Sequence, residues 1–111
     1  MAKPVLPGRP SRGSRGGRPI MALLDLLGRR WTLRIVWELR EGPRRFRELQ
    51  ELIGASPTMV NARLGELRAA RLVELDAEAG YRLTPLGREL LRLFLPLHHW
   101  SEKWARAVAA G

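Results

Sequence analysis

The chain has 111 residues, 45% of them hydrophobic, which suits one small domain with a single core and argues against a deep catalytic cleft between two lobes. A formal charge of +9 and an isoelectric point near 11.6 favour a polyanionic partner, either nucleic acid or an anionic membrane surface. With no cysteine there is no disulfide framework, thiolate metal site or thiol switch, and no apolar run has signal-peptide or membrane-spanning character, so a cytoplasmic protein without membrane association is expected.

Residues 1–19 hold four prolines, several glycines, Lys3, Arg9, Arg12, Arg15 and Arg18, and no acid. Such a segment has too little apolar surface to order itself, so it is expected as a disordered basic arm preceding a folded domain over 20–111. It carries five of the nine net positive charges and leaves four for the folded part. An arm of this kind suits phosphate tracking through Arg12, Arg15 and Arg18, or serves only as a solvated tail.

Ile20, Leu23, Leu24 and Leu27 fall at helical spacing and Gly28 closes a first helix. Trp31, Leu33, Ile35, Val36 and Leu39 predict a second helix over 31–40, stopped by Gly42-Pro43. Trp31 and Trp37 lie on or beside its apolar stripe and are assigned to core or dimer packing. Phe46, Leu49, Leu52 and Ile53 mark a short third helix ended by Gly54. Ser56 then offers a capping oxygen and Pro57 occupies the first helical position, which sets the start of a fourth helix over 56–69. Two short helices joined by three or so residues with a glycine form a helix-turn-helix, whose second helix is offered to a major groove.

Arg71 to Leu75 alternates, residues 76–80 supply a turn and Tyr81 to Thr84 alternates again, which predicts a two-stranded hairpin. Thr84 caps and Pro85 begins a terminal helix in which Leu86, Leu90, Leu93, Leu97, Trp100 and Trp104 repeat at spacings of four and three, the pattern of a helix seeking a partner. Pro96 is expected to bend or split it near Leu95. The fold class is thus mainly α with a small β-hairpin, a winged helix-turn-helix followed by a long helix.

The residues Leu27-Gly28-Arg29-Arg30-Trp31-Thr32, Gly42-Pro43-Arg44-Arg45-Phe46-Arg47-Glu48-Leu49, Gly54-Ala55-Ser56, Leu64-Gly65-Glu66-Leu67 and Thr84-Pro85-Leu86-Gly87 together resemble the HxlR-type winged helix-turn-helix transcriptional regulators over about residues 19–95. The resemblance implies a homodimeric DNA-binding regulator whose first and last helices form the dimer contact, here through Ile20, Leu23, Leu24, Leu90, Leu93, Leu97, Trp100 and Trp104, with 85–109 as the dimerisation helix. Two features depart from the family. The cysteine common just before the first helix is absent near Arg18 and Pro19, which rules out thiol sensing in this chain, and the wing is short and made acidic by Glu74, Asp76 and Glu78. An acidic wing tip repels phosphate, which leaves Arg71 and Arg82 at the strand bases as its contributors.

On the fourth helix Thr58, Asn61, Ala62 and Arg63 are the expected base readers: Asn can pair with adenine in bidentate fashion, and Thr or Ala can touch a thymine methyl. Arg44, Arg45, Arg47, Ser56 and Arg68 are assigned to phosphates with Arg71, Arg82 and the arm. Gly65 is read either as a site of close backbone approach or as a neutral feature. His98 and His99 point in different directions on a helix and have no third ligand at suitable spacing, so neither a metal nor a cofactor is expected. No nucleophile with a base partner and no phosphate-binding glycine loop is present, so an enzyme is not expected. The alternatives to a DNA-binding regulator are an RNA-binding protein led by the Arg/Gly-rich arm and a winged-helix protein-interaction module; no small-molecule effector is identified.

Overall fold

The computed structural model describes residues 18–111, so Arg12, Arg15 and the rest of the proposed arm before Arg18 lie outside the described residues. Helix α1 (Pro19–Leu27) has no side-chain cap; Pro19 stands at its first position and the Arg18 carbonyl accepts from the Met21 and Ala22 amides. Helix α2 (Thr32–Glu38) is shorter than its apolar pattern suggests. Trp31 takes a left-handed conformation with φ of 78° at its start, and the chain leaves the helix at Leu39 in a turn that ends at Gly42.

Helix α3 (Phe46–Ile53) closes on Gly54, whose φ of 77° is the left-handed position that glycine fills without steric cost. Helix α4 (Pro57–Ala69) begins three residues later, and the Ser56 hydroxyl accepts from the Met59 amide at 3.2 Å as the sequence predicts. Its other end explains why the hairpin starts late. Leu72 N–H donates to the Leu67 carbonyl and Arg71 N–H to that of Arg68, a Schellman motif with Arg71 in the left-handed position at φ of 62°. The extended chain therefore begins only at Val73 rather than Arg71.

Strands β1 (Val73–Asp76) and β2 (Gly80–Leu83) pair antiparallel with Val73 opposite Leu83 and Asp76 opposite Gly80. Arg44 forms an isolated antiparallel bridge on the outer edge of β2, exchanging both backbone hydrogen bonds with Tyr81 at 2.9 and 2.8 Å. That approach requires Gly80, because a Cβ there would stand 2.6 Å from the Arg44 carbonyl oxygen. Helix α5 (Pro85–Ala110) is capped by the Thr84 hydroxyl, which accepts from Gly87 N–H at 3.0 Å. It runs unbroken through Pro96, contrary to the expected split. Proline removes one donor but its fixed φ is helical, and at this exposed position the orphaned carbonyl keeps access to water.

The core gathers Ile35, Val36 and Leu39 of α2, Leu49 and Ile53 of α3, and Val60, Leu64 and Leu67 of α4 under Leu72, Val73, Leu83 and Leu91. The three apolar positions of α4 are nearly fully buried, which turns the opposite side of this helix outward. Trp31 and Trp37 are half-buried; Trp37 meets Phe94 edge to face at 6.1 Å, so both tryptophans serve packing.

Candidate nucleic-acid interface

At about 100° per residue, Arg68, Asn61, Gly65, Thr58 and Ala69 follow one another round a single arc of α4, and all five are exposed. Ala62 is half-buried at the edge of this arc. A Cβ on Gly65 would meet nothing within 4 Å, so no internal contact demands glycine there; the missing side chain keeps the middle of the arc low. The face is thus narrow, polar and nearly flat, the shape that a helix needs to bring Asn and Thr side chains against base edges.

The arginines divide into two groups. Arg63 belongs to the inner one: its Nη1 lies 2.9 Å from both carboxylate oxygens of Glu66 and its Nε donates to the Arg30 carbonyl at 2.8 Å. This engagement turns it away from the arc where it was expected as a base reader. Arg44 donates to the Glu38 carbonyl at 2.6 Å and pairs with Glu48 at 3.0 Å. Arg45 donates to the Glu78 carbonyl, which ties the start of α3 to the wing. Arg82 pairs with Glu74 at 2.9 Å and with Asp76 at 3.3 Å across the hairpin. Four of the arginines expected at DNA thus have internal partners.

Arg47, Arg68 and Arg71 form the outer group. They are exposed and make no ion pair or side-chain hydrogen bond among the described residues. Arg47 stands in the first turn of α3, while Arg68 and Arg71 flank the end of α4 and line an open groove of about 870 Å³ against the wing base and the start of α5. Ser56 is exposed; its oxygen serves the cap, and its hydrogen is left to donate outward.

The wing neutralises part of its own acidity. Glu74 and Asp76 are joined to Arg82, and Asp76 also accepts from the Glu78 and Ala79 amides at 2.8 and 3.0 Å, closing the turn. The Ala79 and Glu78 amides, with a smaller contribution from Arg82, hold the Asp76 carboxyl below its ordinary value. Glu74 in turn, through its hydrogen bond and charge, raises Arg82 above the usual guanidinium value.

Away from α4, Ile20 and Leu24 on α1 and Leu93, Leu97, Trp100 and Trp104 on α5 are exposed, Leu93 to 77%. Trp100 and Trp104 stack nearly parallel at 6.4 Å, and half-buried Leu23 and Leu90 line an apolar groove between the two helices. Among the described residues no cluster of three His, Cys, Asp or Glu could hold a metal, and no helix is long and apolar enough to cross a membrane.

The residue that sequence reasoning missed is Glu66. It lies about 120° round α4 from Val60, a position that reads as solvent-facing, yet it is only 5% exposed because the α1–α2 turn covers it. The Arg63-Glu66 spacing of three on one helix was the available signal for an ion pair, although not for its burial.

Comparison with known proteins agrees with this fold. YodB, an HTH-type transcriptional regulator of Bacillus subtilis, is 34% identical over 87 residues, covering 72% of this chain and 78% of YodB. The crystal structure of quinone-bound YodB matches with a TM-score of 0.69 over 76% of this chain and 96% of that one. A possible HxlR family transcriptional factor from Thermoplasma volcanium matches with a TM-score of 0.69 at 28% identity, over 76% of this chain and 82% of that one. An HTH-type transcriptional regulator of Methanocaldococcus jannaschii is 28% identical over 92 residues, covering 78% of this chain and 86% of the relative. The profile of the HxlR-like helix-turn-helix family matches residues 26–109, most of the chain, and the protein belongs to that family.

Proposed function

We propose that this protein is a sequence-specific double-stranded DNA-binding transcriptional regulator that acts as a homodimer in the cytoplasm, by binding rather than catalysis. The observation that carries the reading is the exposed arc of α4, with Thr58 and Asn61 about a central glycine, Arg68 and Arg71 free toward its end, and Arg47 free in the first turn of α3. In this reading α4 enters the major groove, Asn61 and Thr58 read bases, and Ala62 touches a thymine methyl from the edge of the arc. Arg63, held by Glu66, stands behind the reading face. The three free arginines and Ser56 take phosphates, and Arg12, Arg15 and Arg18 add to that grip from the arm. Arg44, Arg45 and Arg82 shape the α3–wing junction first and add positive field second.

The exposed Ile20 and Leu24 of α1 and the exposed leucines and tryptophans of α5 support the dimer, since soluble monomers rarely expose large apolar side chains together and such patches mark interaction sites. Two copies related by a two-fold axis would offer two α4 helices to successive turns of one duplex face.

Selection of bound duplexes from a random pool tests the reading. The wild-type chain is expected to enrich a two-fold symmetric motif, and Asn61→Ala to lose preference at one position in each half-site. Recovery of the same motif with unchanged preference everywhere would remove Asn61 from base reading. Loss of all binding on deletion of residues 1–18 would favour the RNA-type, arm-led alternative over α4. In sedimentation, Leu93→Glu should convert a dimer to a monomer; a wild-type monomer at micromolar concentration would sink the dimeric form of the proposal.

A further inference from the structure

Behind the reading face, α4 is fastened to the α1–α2 turn by a buried carboxylate that ordinary packing does not need. Arg29 Nη1 lies 2.7 Å from one oxygen of Glu66 while Arg63 Nη1 lies 2.9 Å from both. Arg63 also donates to the Arg30 carbonyl, so two consecutive residues of the turn are bound to one turn of α4. The turn has its own restraints: Trp31 is left-handed, and the Arg30 guanidinium sits 4.6 Å above its ring.

Burying a carboxylate against two partly buried guanidinium groups is a weak way to add stability, because apolar residues of similar volume often do as well or better. Between α4 and the turn the directional contact is the Arg63 hydrogen bond to the Arg30 carbonyl, with the Arg29–Glu66 ion pair beside it, while the two-oxygen Arg63–Glu66 pair lies within α4 and holds the Arg63 guanidinium in place for that bond. Val60, Leu64 and Leu67 press α4 onto the core through non-directional contacts, whereas the Arg63–Arg30 hydrogen bond and the Arg29–Glu66 ion pair tie one side of the helix to fixed points on the turn. Base reading needs side chains held within about 0.5 Å and 10–20° of their working position. Glu66 lies about 140° round the helix from Asn61, so a clamp on the back of α4 sets the direction in which Asn61 faces.

We infer that Glu66 is a specificity-determining positioning residue: anchored by Arg29 and Arg63, it fixes the rotation of α4 and hence the aim of Thr58 and Asn61. The inference rests on α4 being the DNA-reading helix and adds that fidelity depends on a cluster that touches no DNA.

The test uses the full chain, the duplex that the wild type selects from a random pool, and a scrambled duplex of equal length. Glu66→Gln keeps the size of the side chain and removes its charge. Arg29→Gln removes the Arg29–Glu66 ion pair and leaves the Arg63 bonds to Glu66 and to the Arg30 carbonyl, so it carries the test if Glu66→Gln does not fold. Either folded variant is expected to bind the selected duplex about tenfold more weakly, the size of one lost base contact, while scrambled-duplex affinity stays within about twofold. Random-pool selection with the variant should return the same motif with flattened preferences. A merely structural role would lower both affinities together, in step with the melting temperature, and that result overturns the inference. An unchanged ratio between the two duplexes overturns it as well. A wild-type chain that selects no motif at all removes the base reading itself, which is a failure distinguishable from these.

Discussion

Arg71 joins a strained backbone position to an expected phosphate contact, so one substitution should move stability and binding in opposite directions. The residue closes α4 at φ of 62°, where an L side chain is disfavoured by about 1–2 kcal/mol. Arg71→Gly relieves that strain but gives the unfolded chain more freedom, worth about 0.5–1 kcal/mol in the other direction. The carbonyl of residue 71, which accepts from the Thr84 hydroxyl at 2.7 Å, is kept in the variant. The net expectation is a gain of about 0.5–1 kcal/mol, or a rise in melting temperature of about 2–8 °C for a domain of this size.

DNA binding should weaken at the same time. Removing one phosphate contact from each protomer of a dimer lowers the slope of log K against log salt by about 1.8. Arg71→Ala separates the two effects, because alanine keeps the left-handed strain and loses the charge: it should share the binding defect without the thermal gain. Thermal unfolding followed by circular dichroism and binding titrations from 50 to 200 mM salt, roughly the range over which such contacts are felt, provide both readouts. A lower melting temperature for Arg71→Gly would refute the strain argument, and an unchanged salt slope would take Arg71 off the phosphate backbone.

Other positions give sharp expectations. Gly87 is needed for space, since a Cβ there would stand 2.1 Å from the Leu72 carbonyl oxygen; Gly87→Ala should cost about 1–3 kcal/mol or more, read from urea unfolding, and a neutral result would mean that α5 can shift freely. Thr32 is fully buried and its Oγ1 has no hydrogen-bond partner among the described residues. Thr32→Val should therefore raise stability by about 1 kcal/mol, and a loss would reveal a partner for the hydroxyl. Asp76 has a carboxyl held below 3.8 by the wing-turn amides, so its stabilising effect on the turn is complete above that ordinary value and is lost as pH falls through the lower folded value. Carboxyl carbon NMR should place its titration below 3.8 and show the wing unchanged between pH 5 and 8; a midpoint above 3.8 would contradict the turn geometry.

The arrangement of charge gives the interface a particular character. Much of the positive charge near α3 and the wing is neutralised internally by Glu48, Glu74 and Asp76, whereas the exposed end of α4 keeps Arg68 and Arg71 unopposed. The unopposed positive charge therefore lies at the end of α4 rather than at the wing tip.

Local chemistry made much of this fold legible in the sequence. Ser56-Pro57 and Thr84-Pro85 mark where α4 and α5 begin, because a capping oxygen and a proline at the first turn act within a few residues of chain. Apolar spacing likewise identified the buried side of α4 and the exposed stripe of α5, since a helix has one period whatever surrounds it. The left-handed Trp31 and Arg71 were not legible, nor was the helical path through Pro96, because each depends on contacts or solvent access outside its own segment. The arginines show the same division. Their number and sign, and with them the preference for a polyanion, are properties of the sequence. Which of them face outward depends on acids and carbonyls brought from distant segments: Glu78 to Arg45, Arg30 to Arg63 and Glu66 to Arg29. Charge is carried by residues one at a time, but its pairing is a contact between segments that only tertiary folding creates.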